Sequence, residues 1–435
     1  MPEAPLLPPH PPRAADAPKA LDGIRVLDFT HFIAGPLATM LLGDLGAEIV
    51  KIEKIAGGDD FRRFGPQRAD MGPAFVWCNR NKQSVALDLT RPEGQQIARD
   101  LAATADVVIE NFSAGVMDRF GLGYAALAAA NPRLVYCAVS AYGRSGPYAG
   151  RLGFDPIAQA ESGFMSLTGQ ADGDPLRAGP SIMDNSTAMM ACNTVLAALM
   201  ARERLGQGQY CEVSLFDTAV QMSGFHAMLY LMSGQVPERF GNSSKDSAPT
   251  DVFEAADGPF YITCANDRTF QRLVRSVLGR PDLAEHPDFA EGRTRAANKD
   301  KLAAIIRPLF AAQPRADLLA KMLEAGVPAG EVRALDEVYA AGEIRERGRA
   351  TAIPFPDGGS VPNIAPPFQF RATPVADPVA APLLGQHTAA VLTRLLGYDT
   401  SRIAALAEAG VIHIAEAGVI HIAEAGAIRL AETDR

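Results

Sequence analysis

Five short runs rich in Val, Ile and Leu recur between residues 21 and 140: IRVLDF, EIVKIE, SVALDL, DVVIE and LVYCAV. Helical stretches separate most of them, clearest at 36–45 and 93–103, with a shorter one at 124–130. Runs this short and this apolar fit strands covered on both faces. Strands that alternate with helices join as parallel neighbours, because a parallel pair needs a crossover between its members. The alternation therefore predicts an α/β domain on a mostly parallel sheet.

The chain continues well past that domain. Its 435 residues exceed a usual single core, so a second domain is expected. A second region opens near Arg239, where TDVFEAADGPFYITCAND reads as a hairpin turning at Asp257-Gly258. Helices are expected in TFQRLVRSVLG and KDKLAAIIRPLFAAQ. Residues 350–386 are rich in Pro and Gly and read as a crossing segment, and a last helix is expected in HTAAVLTRLLG.

Several classes fall away on composition. A net charge of −9 argues against a general nucleic-acid binder, though it leaves room for a local basic pocket. Cys78, Cys137, Cys192, Cys211 and Cys264 are scattered without a C-x-x-C pair, which fits reduced thiols in a cytoplasmic protein. No apolar run approaches the roughly 20 residues of a membrane helix. The start, MPEAPLLPPHPPRAADAPKA, lacks the layout of a secretory signal and reads as a disordered extension. The tail repeats AEAGVIHI, placing His413 and His421 eight residues apart. Helical metal pairs stand at i, i+4, so a slipped duplication accounts for the tail better than a metal site.

In an open parallel sheet, ligands bind beyond the carboxyl ends of the strands. The loops that follow these strands carry His31, Lys54, Arg62, Arg63, Asn111, Phe112, Ser140, Tyr142 and Arg144. Such a rim suits an anionic ligand with a flat base, although βα-loops are polar wherever they occur. Glu53 at the end of the second strand could mimic the acid that holds a ribose, but THFIAGPLAT lacks the glycines of a dinucleotide site. Neither a Walker A sequence nor a G-x-S-x-G elbow is present. On these grounds alone, the chain is an anion-binding α/β enzyme.

SIMDNSTAMMACNTVLAALMARERLGQG, residues 181–208, reads as a long helix closed by Gly206. Asp184 stands at its mouth. Asp is a favoured N-cap, and capping is the ordinary explanation for an acid there.

A wider likeness adds to this reading. LDGIRVLDFTHFIAGPLATMLLGDLGAEIVKIEKIAGGDDFR resembles the opening of the class III (CaiB/BaiF) CoA-transferase family. NRNKQSVALDLTRPEGQ, ADVVIENFSAGVMDRFGL, NPRLVYCAVSAYGRSGPYAG, FDPIAQAESGFMSLTG, RERLGQGQYCEVSLFD, RFGN and APLLGQHT continue the likeness in order. It covers residues 21 to about 412.

The resemblance implies a Rossmann-like large domain built from both chain ends, a smaller α/β domain between them, and an interlocked homodimer. The corresponding division is an extension at 1–20, the first part of the large domain at 21–215 and a linker at 216–238. The small domain follows at 239–342, a crossing linker at 343–386, the large domain's second part at 387–412 and the tail at 413–435. It also implies that Asp184 is a covalent nucleophile, exchanging CoA between an acyl-CoA and a carboxylic acid through mixed anhydrides and an aspartyl-CoA thioester. Amide N–H groups at the helix mouth are candidate oxyanion donors. Contacts to CoA are implied for His31, Lys54, Leu87, Asn111, Phe112, Arg119 and Phe154. CoA and its thioesters enter as substrate, with no metal and no permanently bound cofactor.

The sequence departs from two branches of that family. Ile33 stands where formyl-CoA transferases carry Gln, and RFGNSSKDSAPT lacks their glycine run. Gly153-Phe154-Asp155 lacks the His of the racemase branch, which a two-base proton exchange requires. Transferase is thus the leading reading, and the family resemblance alone implies succinyl-CoA as the donor. The alternatives are an acyl-CoA racemase of the same fold, a nicotinamide oxidoreductase and a non-catalytic CoA binder.

Overall fold

The computed structural model describes residues 7–14 and 16–415. Residues 1–6 of the Pro-rich start and 416–435 of the repetitive tail lie outside the described residues. The rest divides into two compact units.

The first unit comprises residues up to 162, 179–222 and 342 onward. Its elements run β1 (Arg25–Asp28), α1 (Ala34–Asp44), β2 (Glu48–Glu53), α2 (Pro73–Cys78), β3 (Lys82–Leu87), α3 (Pro92–Ala103) and β4 (Val107–Glu110). Then come α4 (Val116–Arg119), α5 (Tyr124–Ala130), β5 (Val135–Ser140), α6 (Asp155–Glu161), α7 (Ile182–Leu205), β6 (Tyr210–Ser214) and α8 (Leu215–Met222). The strand order is 3-2-1-4-5-6, the doubly wound arrangement, with the short strand Ile412–His413 antiparallel on the β3 edge. All other neighbours in this sheet are parallel. Val26, Val50, Val85, Val108 and Val135 are wholly buried, as strands covered on both faces require. On one face, α3 and the helix Thr388–Leu396 seal a core containing Leu27, Val85, Ile97 and Leu392.

The second unit comprises 163–178 and 223–341. Its longer segment opens with α9 (Gly224–Ser233) and builds a three-stranded antiparallel sheet from β7 (Thr250–Ala255), β8 (Gly258–Thr263) and β9 (Ala329–Glu331). Phe253, Phe260, Phe270 and Phe310 fill its core, with the rings of Phe260 and Phe310 edge to face at 5.1 Å.

Several expectations change. The β7–β8 turn is Ala256-Asp257, because Ala255 pairs with Gly258 inside the ladder. Residues 216–238, expected as a linker, contain α8 and α9, since FHAMLYLM offers helix formers without an internal breaker. The crossing segment holds a hairpin, β10 (Ala350–Pro354) against β11 (Ser360–Ile364). The described part of the Pro-rich start is placed rather than free. Pro9 pairs with Ala352, and the Arg13 amide donates to Asp377, so β10 supplies backbone partners that composition does not reveal.

Candidate active site

The carboxyl ends of β1, β2, β4 and β5 carry the rim. At the last residue of β1, Asp28 accepts from Thr30 and Thr39 and pairs with Lys82 at 3.1 Å, all in the interior. Burial alone would raise the Asp28 carboxyl, but Lys82 and Lys51 outweigh it and bring it down to about 2. Lys51 in turn donates to the Thr30 carbonyl at 2.5 Å and pairs with Asp59 at 3.1 Å. This charged floor holds the loop that begins at Thr30. Gly35 lies so close beneath it that a Cβ there would come within 2.3 Å of the Thr30 Cβ.

On that floor the His31–Phe32 turn is pinned from both sides. The His31 amide donates to the Asn111 side chain at 2.9 Å, and Asn111 donates back to the His31 carbonyl at 2.8 Å. Phe32 adopts φ 64, a left-handed conformation that costs a non-glycine residue roughly 1–2 kcal/mol. Its amide donates to Asp59 at 3.2 Å. The rings assemble around it: His31 meets Phe112 at 5.2 Å, and Phe32 meets Phe154 edge-on at 5.8 Å. Burial lowers the His31 pKa, which favours the neutral imidazole, a flat polar surface rather than a fixed cation. Phe154 remains 60% exposed, leaving an open aromatic face.

Asp184 lies one short step away through Asp155, the residue after Phe154. Ser181 is the N-cap of α7, and Asp184 sits inside the first turn. Capping is therefore not its role. The buried Asp155 carboxylate accepts from the Met183 amide at 2.7 Å and the Asp184 amide at 3.3 Å. The Ile182 amide goes to Pro180, and that of Asn185 goes to Ser181. Every amide of the first turn is thus engaged, and none is left as an oxyanion donor. Among the described residues no hydrogen bond reaches the Asp184 carboxylate, and burial, aided by the negative Asp155, pushes it up to about 7.

The remaining residues separate. Lys54 is exposed and paired with Asp60 at 2.6 Å, and Arg119 is exposed at the end of α4. Both stand on loops or helices that follow sheet strands, free of the core. Leu87, the last residue of β3 and the partner of Ile412, is wholly buried, so its side chain presents no surface to a ligand. Arg62 is buried as well: it holds Glu53 through two nitrogens at 2.8 and 2.7 Å and lies 3.8 Å over the Phe75 ring. That pair removes Arg62 from the rim and Glu53 from any ribose. Arg144 pairs with Glu110 at 2.8 Å and, with Asn111, Phe112 and Tyr142, lines a cleft of 100 Å³. In the sequence, Asp155 stood out only as the residue after Gly153-Phe154, where the racemase branch carries its His. Nothing in the pattern announced that it ties down a second helix.

Comparison with known proteins agrees with this architecture. The family model for CoA-transferase family III matches residues 21–388. The mouse succinyl-CoA:glutarate CoA-transferase is 34% identical over 404 residues, 93% of this chain and 92% of its own. The acetyl-CoA:oxalate CoA-transferase of Acetobacter aceti is 41% identical over 322 residues, 74% of this chain and 82% of its own. The crystal structure of a CaiB/BaiF family protein from Brucella suis superposes with a TM-score of 0.79 at 36% identity, covering 87% of this chain and all of that one. The chain belongs to CoA-transferase family III.

Proposed function

We propose that Asp184 is the nucleophile of a CoA transfer from an acyl-CoA to a carboxylic acid. The observation that carries this reading is a carboxylate in the first turn of α7 with no hydrogen-bond donor of its own among the described residues. An Asp184 oxygen attacks the thioester carbon, the C–S bond breaks, and CoA leaves as thiolate from a mixed anhydride. The thiolate then attacks Cγ of Asp184 and expels the donor acid as carboxylate, leaving an aspartyl-CoA thioester. The acceptor carboxylate attacks that thioester and forms the second anhydride. Returning thiolate takes the acceptor's acyl carbon and frees Asp184. No net proton or electron is consumed, so a lone carboxylate suffices.

The turn His31–Phe32, with Asn111, Phe112 and Phe154, forms the polar and aromatic surface for the CoA chain, while Lys54 and Arg119 serve its phosphates. Succinyl-CoA is the proposed donor, in keeping with the mouse relative's name. A homodimer is part of the proposal. Helix α9 has no buried residue, and Phe225, Leu231 and Met232 on it are more than two-thirds exposed, an apolar surface that a second copy would cover. No helix among the described residues is long and apolar enough to cross a membrane. The five cysteines are free thiols, in keeping with a cytoplasmic setting.

Peptide mass spectrometry after incubation with succinyl-CoA and hydroxylamine tests the nucleophile. A hydroxamate on Asp184, absent from Asp184→Asn, is expected. CoA binding without any adduct across a panel of acyl-CoAs would overturn the assignment.

A further inference from the structure

We infer that Asp155 is the positioning residue for Asp184: it ties down the amino end of α7 and occupies the helix amides that would otherwise stabilise the Asp184 anion. This rests on the nucleophile reading above.

A carboxylate in the first turn of a helix ordinarily gains from the exposed N–H groups and the positive end of the dipole. Here another carboxylate has taken that place. Asp155, 3% exposed, receives the Met183 and Asp184 amides on one oxygen and the Gln159 side chain on the other at 2.6 Å. The backbone of Asp184 is thereby fixed by a residue from a different helix. Its side chain is left to face its surroundings without a donor. The negative charge on Asp155 makes the Asp184 anion costlier, hence more basic and more nucleophilic.

The direction of the Asp184 shift, upward with burial first and Asp155 second, opposes what a helix N-terminus alone would give. Other charged groups on the elements packed against α7 are occupied elsewhere. Asp44 holds Arg80, Glu161 holds Arg151, Asp217 accepts from Ser214, and Glu212 accepts from Tyr210. Arg202, in the last turn of α7, pairs with Asp106.

The test compares wild type with Asp155→Asn and Asp155→Ser, which remove the charge and loosen the clamp: Asn keeps one oxygen, for either the two amides or Gln159, and Ser shortens the side chain. Expected is a fall in kcat of roughly 10²-fold, the scale of an ångström-level misplacement, with KM for the acyl-CoA changed less than about twofold. The acidic limb of kcat/KM should also move to lower pH by about one unit, because a like charge has gone. A purely structural residue would lower Tm and leave that limb in place. If either variant folds and its limb coincides with that of wild type, the inference is overturned. Absence of the Asp184 adduct in wild type would instead overturn the nucleophile reading, so the two failures are distinguishable.

Discussion

Asn111 and His31 hold each other by two reciprocal hydrogen bonds, amide to side-chain oxygen at 2.9 Å and side-chain nitrogen to carbonyl at 2.8 Å. One side chain from the end of β4 thus satisfies the whole peptide polarity of a residue after β1, as a neighbouring strand would. The bond pair sets the angle of the His31 ring against Phe112 and supports the left-handed Phe32 next to it.

Asn111→Ala removes both bonds while leaving the core untouched. At about 1 kcal/mol each, the loss is roughly 2 kcal/mol of stability. The larger effect is expected on binding: KM for the acyl-CoA should rise about tenfold, with kcat falling less, because a loosened turn no longer presents its aromatic face. Steady-state kinetics beside a thermal melt check this. A variant with normal KM would remove the His31 turn from the binding surface.

Asp184→Asn keeps size and polarity but removes the nucleophile. Transfer should drop by at least about 10³-fold, while CoA affinity by calorimetry stays within about threefold of wild type. Substantial residual transfer, with no deamidation of the Asn in the mass spectrum, would show that CoA passes between the two acids without an enzyme-bound intermediate.

Much of the fold was legible because burial leaves a simple pattern. The five apolar runs became β1 to β5 with small shifts at their ends, and Tyr124–Ala130 became a helix over the residues expected. β6 escaped because YCEVS is only partly covered, with Tyr210 and Glu212 exposed and Ser214 alone buried, and its sequence lacks a continuous apolar run. At the site, sequence could list polar residues after each strand but could not say which were already paired. Arg62 and Lys54 read alike in the chain, yet one is locked onto Glu53 in the interior and the other stands in solvent. Pairing depends on partners far along the chain or across a loop, and no local pattern encodes it. The same holds for Asp155, whose partner amides lie on another helix.

The Arg62–Glu53 pair yields a prediction that separates the two readings of Arg62. Both side chains are almost fully buried, and Glu53 also accepts from Ser84 at 2.7 Å and the Asp59 amide at 3.0 Å. Arg62→Met leaves that carboxylate without its cation and should cost about 3–5 kcal/mol. Lys54→Met, at an exposed pair, should cost less than about 1 kcal/mol. Denaturant titration distinguishes them. A ligand-binding Arg62 would instead leave stability nearly intact and raise KM alone.

Glu110 and Asp184 together predict how stability depends on pH. Burial, only partly offset by Arg144, pushes the Glu110 carboxyl up to about 7 from an ordinary 4.5, and Asp184 rises to about 7 from 3.8. In both cases the folded state binds a proton more tightly than the unfolded chain. Their contribution to stability is therefore fully present below about pH 4 and is lost as pH rises through 7. Glu110→Gln and Asp184→Asn should each remove one share of that loss, on the order of 3–4 kcal/mol by pH 8 relative to its own value at pH 4. Glu110→Gln also places an amide nitrogen against one of two donors, Arg144 or the Phe112 amide, a pH-independent cost that shifts the height of its curve and leaves the slope alone. The slope, not the height, is the diagnostic quantity. Unfolding free energies measured from pH 4 to 8 should fall less steeply for each variant than for wild type, and least steeply for the double variant. A slope unchanged in Glu110→Gln would mean that Arg144 keeps Glu110 ionised throughout. The buried pair would then be a permanent clamp on the loop that carries Asn111.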